Sequence, residues 1–383
     1  MTTLSLYIHF PFCVSKCRYC DFASRPAESA AEIDKYLKYL FKEIKLAAPR
    51  PEFRGRELRT VFFGGGTPSL LAAGKLSRLM CVIKERFPLA PGAEVSLEAN
   101  PASVADPEEW LARAREAGVN RVTVGIQSLD GDELKFLGRV HTAEQAAEFF
   151  RLVRGAGFDS TGADLIYGLP GQGVESWMES VEKLIALNPD HVSMYCLEIA
   201  PGTPLGAALA AGETAEAPAE VQEEMYYAAS SALEAAGYSR YEISNFARPG
   251  HECRHNLAYW TGGDYLGAGL SACSCTGGWR ARNESDFKRY YAKLDSGMLP
   301  RAEEEFLSSR RRLREAAVMR LRTARGFSLE DFSAAFPEKE TASLAADAEK
   351  LAAAGLLAAA AGRFYVPRDK LFVSDGIFSG IIG

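Results

Sequence analysis

Three cysteines within eight residues, Cys13, Cys17 and Cys20, carry the most specific chemistry in this 383-residue sequence. They stand at Cys-x3-Cys-x2-Cys spacing inside YIHFPFCVSKCRYCDF (7–22), directly behind a short apolar run. Thiolates are soft ligands that suit iron–sulfur clusters, zinc or copper(I). Structural zinc normally takes paired Cys-x2-4-Cys units, and no second such unit follows. A cluster of four irons normally takes four cysteines. Three closely spaced ones leave one iron free for a ligand that is not protein. With only eight cysteines in the chain, chance is a poor account of this spacing, so a [4Fe–4S] cluster is expected.

Other soft or aromatic groups are less specific. His251-x-Cys253-x-His255 and Cys273-x-Cys275 offer five possible metal ligands, but at tighter spacing than zinc pairs use. HNLAYW (255–260) combines His, Asn, Tyr and Trp, a set that could cradle a flat macrocycle, and histidine is a usual haem-iron ligand. The competing reading is a satisfied buried histidine beside packing aromatics. Cys81 and Cys196 sit in apolar runs and read as small buried hydrophobes.

Elements able to position these groups follow from the hydrophobic pattern. Strand-like runs occur at Leu4–His9, Thr60–Phe63, Glu94–Ala99, Arg121–Gly125, Ala163–Tyr167 and His191–Leu197. Helix-like stretches follow at Ala30–Ala48, Ala72–Arg86, Pro107–Ala117, Ala143–Ala156, Val174–Leu187 and Ala219–Ala236. In the first stretch Ile33, Tyr36, Leu37, Leu40, Phe41 and Ile44 form one apolar face. Alternating strands and helices imply an α/β fold with a parallel sheet, either open or a partial (β/α)6 TIM-type barrel. Function in such barrels lies at the C-terminal strand ends. Those ends carry the cysteine loop, Gly64-Gly65-Gly66, Glu98, Gln127 and Asp164, which reads as a polar ligand site.

Residues 200–218 read as a Pro/Ala/Gly-rich loop, and residues 238–300 as a strand-rich extension. From residue 301 the pattern predicts helices at Phe306–Thr323, Phe327–Phe336 and Ala342–Ala354, then a hairpin of Arg363–Val366 with Leu371–Val373. Helices before a small wing suggest a winged-helix-like module at 301–383, after a barrel at 1–237. Such modules can bind DNA, but Glu303, Glu304, Glu305 and Glu315 lie near the arginines of 310–322, and the net charge is −6. No nucleic-acid partner is expected. No apolar run approaches the ~20 residues of a membrane span, and the start at Met1 lacks the basic and apolar regions of a signal peptide. A cytoplasmic protein is expected, with any membrane association peripheral.

The cysteine spacing, with Tyr19 just before the last cysteine, resembles that of radical S-adenosylmethionine (SAM) enzymes. The resemblance implies a three-quarter barrel and an open iron that chelates SAM through its amino and carboxylate groups. It further implies that Gly65 and Glu98 contact the methionine portion, with Tyr7 in the same shell. In relatives holding two SAM molecules, Tyr19, Gly66, Thr67, Gln127, Arg139 and Asp164 match contacts. The strings FFGGGTPSLL, GIQSLD, LGRVH, DLIYGLPGQ, YEISNFA and HNLAYW resemble the branch containing oxygen-independent coproporphyrinogen III oxidase and the HemW haem chaperones. The oxidase carries another cysteine two places after the third ligand, where this chain has Phe22, and an N-terminal extension that this chain lacks. HNLAYW fits the H-N-x-x-Y-W motif of HemW-type proteins and there implies His255 as a haem ligand. Many members have histidine where this chain has Cys273. The resemblance thus implies a chaperone that binds haem, delivers it to acceptor haemoproteins and takes electrons for its cluster from a donor. The alternatives are the oxidase reaction and a radical SAM methyltransferase. Under the cluster assignment, Cys17→Ser is expected to lose the chelated iron and acid-labile sulfide of the reconstituted protein, and full cluster content in that variant would refute it.

Overall fold

Alternate residues of the first strand face different surroundings. Leu4, Leu6, Ile8 and Phe10 are at most 2% exposed in the main core, which also takes the apolar face of the first helix, while Tyr7 and His9 face the other way. In a computed structural model describing residues 3–382, this strand, β1 (Thr3–Phe10), opens a run of β/α units. It is followed by α1 (Ala30–Ala47), β2 (Glu57–Gly65), α2 (Ala73–Arg86), β3 (Leu89–Ala99), α3 (Pro107–Ala117), β4 (Arg121–Gln127), α4 (Gly131–Leu137), α5 (Ala143–Gly155), β5 (Ser160–Tyr167), α6 (Val174–Leu187) and β6 (His191–Cys196). Strands β1 to β6 are parallel neighbours in chain order. All six expected strands and six expected helices are present, most with ends shifted by a few residues.

Two short helices escaped the periodicity. Helix α4 is capped by Asp130, whose side chain accepts from Asp132 N and Glu133 N, and ends at Gly138 with φ 74°. Helix α7 (Pro204–Ala210) starts from a Thr203 cap and interrupts the segment read as a loop. At seven residues each, they show their caps but no apolar stripe.

Beyond α8 (Ala219–Ala235), the chain returns to both edges of the sheet. Strand β7 (Asn245–Ala247) pairs antiparallel with β6. Helix α9 (Arg254–Trp260) contains HNLAYW, where only strands and turns were expected. Strand β8 (Tyr265–Ala268) then pairs parallel with β1, and β9 (Cys273–Thr276) and β10 (Trp279–Asn283) continue outward. After α10 (Phe287–Asp295), β11 (Arg301–Phe306) forms the far edge. The order β11-β10-β9-β8-β1-β2-β3-β4-β5-β6-β7, with Ser239–Arg240 beside β7, is open at both ends, as in a partial barrel. Arg301–Phe306, grouped by sequence with the C-terminal part, is thus hydrogen-bonded into the large sheet.

The C-terminal part holds α11 (Ser309–Leu321), α12 (Glu330–Ser333), α13 (Glu338–Ala353) and α14 (Ser374–Ile382) around a small sheet. That sheet pairs Phe327–Ser328 with Arg363–Tyr365 and the latter with Ala358–Ala360. The expected helix at Phe327–Phe336 is therefore a strand plus one turn, and Leu371–Val373 is not a strand; α14 follows it. The arginines of α11 are used within the chain: Arg311 pairs with Glu305 and Glu315, and buried Arg314 with Asp347 at 2.6 Å. Cys81 is exposed on α2, contrary to its expected burial, while Cys196 is half-buried and packs against the main core.

One buried carboxylate fastens the extension to the barrel. Glu43 of α1 is 2% exposed and accepts from Gly269 N (2.8 Å), Asn283 Nδ2 (2.6 Å) and Tyr290 OH (2.5 Å). Burial pushes its carboxyl up to about 7, against the pull of these donors. Glu43→Ala strands three buried donors and is expected to destabilise the protein by about 3 kcal/mol, read from the midpoint of urea unfolding.

Candidate functional site

A cavity of about 410 Å³ opens at the C-terminal ends of the parallel strands. Its wall holds Cys13, Cys17, Cys20, Tyr19, Gly65, Gly66, Thr67, Glu98, Gln127, Arg139 and Asp164. Eleven expected site residues, from the cysteine loop to the end of β5, therefore converge on one space. Two do not line it, Tyr7 and His255.

The cysteine loop is held from several sides. Backbone bonds join Gly66 N to Phe10 O (2.7 Å) and Thr67 N to Phe12 O (2.8 Å). A Cβ at Gly66 would lie 2.7 Å from Phe12 O, and one at Gly65, where φ is 105°, would enter the His9 ring. The glycine triplet thus serves close backbone packing as well as the cavity wall. His9 Nε2 meets Ala23 O at 3.0 Å. From the far side, Arg18 N donates to Leu137 O of α4, and Leu205 N of α7 donates to Arg18 O. The two short helices missed by periodicity are therefore clamps on this loop.

The polar residues form a charge arrangement that follows from burial. Burial first, then the negative Asp164, raises Glu98 to about 8; the Gly65 amide opposes this. Burial raises Asp164 to about 6, with Ser193, Arg121 and Arg139 pulling it back. Arg139 donates to Cys17 Sγ at 3.3 Å and to Gly125 O at 2.8 Å, while its buried Nε has no protein partner. Burial raises the Tyr19 phenol, beside which the Arg139 guanidinium sits. Burial also raises Cys20. Gln127 has φ 71°, in the left-handed region, at a bulge between β4 and β5. That costs of order 1–3 kcal/mol for a residue other than glycine, a common feature of ligand sites.

These groups fit a thiolate-held cluster and an amino-acid ligand by their chemistry. Three thiols share one wall, Glu98 offers a buried carboxylate for an ammonium, and Arg139 has an unused N–H for a carboxylate. No three His, Cys, Asp or Glu side chains among the described residues are gathered into a closed metal site. The cysteines instead stand around the cavity with Arg139 on Cys17.

Tyr7 lies beside the site, not on its wall. Its hydroxyl meets His9 Nδ1 at 3.1 Å, and its ring edge and Glu98 Oε2 each lie 3.2 Å from where a Gly64 Cβ would be. His255 occupies the opposite end of the barrel. It is fully buried, with Nδ1 to Thr60 Oγ1 at 2.7 Å and Nε2 to Tyr259 OH at 2.8 Å. Its ring stacks on Phe62 at 5.0 Å, and burial drops it to about 3. Glu94 caps the helix below it, accepting from Arg254 N and His255 N at 3.0 Å each. Both ring nitrogens are engaged within the protein, so in this structure His255 packs at the N-terminal end of the barrel, away from the cavity wall. The suggested metal set of 251–275 fails for the same reason, since Cys253 is also buried against Glu94.

Asn100, Tyr195 and Glu198 also line the cavity and were not singled out from sequence, and Cys196, expected only as a small buried hydrophobe, lines it too. The strand-end rule that found Glu98 and Asp164 reaches Tyr195 and Cys196 at the end of β6.

Comparison with known proteins agrees with this geometry. Residues 7–184 match the radical SAM superfamily, and residues 307–369 the HemN C-terminal domain. The chain is 36% identical to the heme chaperone HemW of Mycobacterium tuberculosis over 380 residues, covering 99% of this chain and 94% of the relative. It is 40% identical to Escherichia coli heme chaperone HemW over 269 residues, covering 70% and 69%. Among solved structures, the radical SAM enzyme coproporphyrinogen III oxidase (HemN) of Escherichia coli superposes with a TM-score of 0.86 at 26% identity, over 99% of this chain and 90% of that one.

The buried Glu98 has a measurable consequence. Its folded value, about 8, exceeds the ordinary 4.5, so the native state binds more protons than the unfolded chain between them. Stability of the cofactor-free protein is expected to fall as pH rises from 4.5 through about 8, then to level off. In Glu98→Gln that fall should shrink, as measured by denaturant midpoints across the range; an unchanged profile would count against the assignment.

Proposed function

The chain belongs to the HemW family of radical SAM haem chaperones, and from that premise we propose how it divides the work between its cavity and its haem cargo. It binds haem and delivers it to acceptor haemoproteins, and it holds a [4Fe–4S] cluster and SAM. Cys13, Cys17 and Cys20 are the cluster ligands. Glu98 accepts from the SAM ammonium, Arg139 pairs with a carboxylate, and Gln127 and Asp164 complete the polar wall around a second such ligand. When bound, the reduced cluster supplies one-electron chemistry at the SAM sulfonium. The clamps from α4 and α7 hold the cysteine loop over the cavity.

Phe22 carries the chaperone reading over decarboxylation. It is 60% exposed on the cavity rim, where the oxidase-type pattern has a further cysteine. The oxidase reaction stands second, supported by the shared architecture at a TM-score of 0.86. The protein works in the cytoplasm, takes electrons from a partner reductant and meets membranes only peripherally. Among the described residues no helix is long and apolar enough to cross a membrane.

The test uses the anaerobically reconstituted protein, titrated with hemin and assayed separately with coproporphyrinogen III. Saturable haem binding, passage of that haem to an apo-haemoprotein and no protoporphyrinogen IX are expected. Protoporphyrinogen IX formed by a protein that binds no haem would replace the chaperone reading with the oxidase one.

A further inference from the structure

The inside of a parallel barrel is normally filled with layers of branched apolar side chains. Here the apolar residues of β3 to β6, such as Leu97, Val122, Ala163 and Val192, belong to the main core shared with the helices. The residues alternating with them point the other way, into the barrel, and they are polar. Ser96, Arg121, His191 and Ser193 among them are at most 3% exposed.

The register sets these groups in rows. Ser96 stands opposite Arg121, and Asp164 opposite Ser193. Between them runs a row from Glu98 through Thr123 and Gly162 to His191. Gly162 keeps that row open: a Cβ there would lie 3.1 Å from Thr123 Oγ1 and 3.4 Å from His191 Nδ1. In the same interior three buried polar atoms, Ser96 Oγ, Arg121 Nη2 and His191 Nδ1, have no partner among the described residues. Buried polar atoms of this kind are characteristically met by ordered water.

The lower end of the row leads outward. His191 Nε2 meets Tyr241 OH at 2.7 Å, and Arg121 Nη1 donates to Ser160 Oγ and to His251 O at 2.9 Å each. His251 is partly exposed on a turn. Burial first, then the charge of Arg121 and His251, holds His191 neutral, well below the ordinary imidazole value. A neutral imidazole can accept a proton at one nitrogen and release one from the other. At the upper end Glu98 faces Asp164 from β5, Tyr7 from β1 and the Gly65 amide from β2. Tyr7 offers no onward route, because its hydroxyl meets His9 Nδ1 and His9 Nε2 is spent on the Ala23 carbonyl.

The cavity creates a need for such a route. Glu98 is raised to about 8, so below that pH it carries a proton in the empty cavity. An ammonium pairs with a carboxylate, so the proton has to leave as the ligand arrives, and the ligand itself covers the mouth.

We propose that the barrel interior holds a column of bound water that carries the Glu98 proton to the N-terminal end through Thr123, His191 and Tyr241. The proposal rests on the reading of Glu98 as the acceptor for the SAM ammonium. As the ammonium settles, the carboxylic O–H proton passes to the adjoining water. Each hydroxyl, water or imidazole below accepts one proton and gives up another, until one reaches solvent beside His251. The carboxylate stays behind to face the ammonium, and nothing is oxidised or reduced. Thr123 and His191 are therefore positioning residues, outside the cavity wall but coupled to its floor.

The test adds SAM to the cluster-loaded protein in weak buffer at about pH 7 and follows proton release with an indicator dye, measuring SAM affinity separately. Wild type is expected to release up to about one proton per SAM bound, and Glu98→Gln none. Thr123→Val and His191→Phe should keep the stoichiometry but slow the release by about tenfold or more, and Thr123→Ser should restore it. A crystal structure should place water within hydrogen-bonding reach of Ser96 Oγ, Arg121 Nη2 and His191 Nδ1. Wild-type release rates in both Thr123→Val and His191→Phe, or a dry interior, would overturn the column and leave the cavity assignments intact. SAM binding without proton release in wild type, or release unchanged in Glu98→Gln, would overturn the Glu98 reading and the route with it.

Discussion

Two backbones lie so close at the mouth of the barrel that no side chain fits between them. The amides of Gly66 and Thr67 bond the carbonyls of Phe10 and Phe12, which locks the end of β2 against the start of the cysteine loop. A Cβ at Gly66 would meet backbone at under 3 Å, so only glycine permits the contact. The positions of Cys13, Cys17 and Cys20 over the cavity are inherited from this junction. Once it is made, the remaining slack in the loop is taken up by Leu137 and Leu205, at the ends of two seven-residue helices.

The two ends of the barrel are built differently. At the C-terminal end, polar side chains are left underpaired: Arg139 Nε has no partner, Glu98 is pushed toward its neutral form, and Gln127 holds a strained backbone. At the N-terminal end the picture is mixed, with Arg121 Nη2, His191 Nδ1 and Trp260 Nε1 buried without a partner among the described residues. His255 satisfies both nitrogens, and Glu94 neutralises the start of α9. What marks the ligand end is that its polar groups converge on one cavity.

This contrast explains what the residue pattern could and could not reveal. The strands, their order and the rim residues Glu98, Gln127 and Asp164 were legible because buried parallel strands are apolar runs, in which a polar residue at the end stands out. The short helices α4 and α7 were not, since seven residues show caps but no stripe. The place of His255 in the fold was not legible because a His-Tyr-Trp set looks the same in sequence whether its nitrogens face a cavity or a threonine from a distant strand. Only the register of β2 against α9 decides that, and it joins Thr60 to a residue nearly two hundred positions later. The second partner of β1 was hidden for a related reason: β8 pairs with it across more than two hundred positions.

That pairing also sets an order of events during synthesis. Strand β1, which leads into the cysteine loop, joins β2 within the first 65 residues, but its other edge waits for β8, with Ser5 matched to Tyr265. Long-range parallel pairing is slow, and domains begin folding as the chain emerges. For most of translation, therefore, the loop that receives iron and sulfide hangs from a half-paired strand whose free edge carries open amides and carbonyls. The last inner strand to arrive is β8, so the cluster side of the sheet is laid down first and the second edge of β1 is closed only after the whole run of parallel strands has been made.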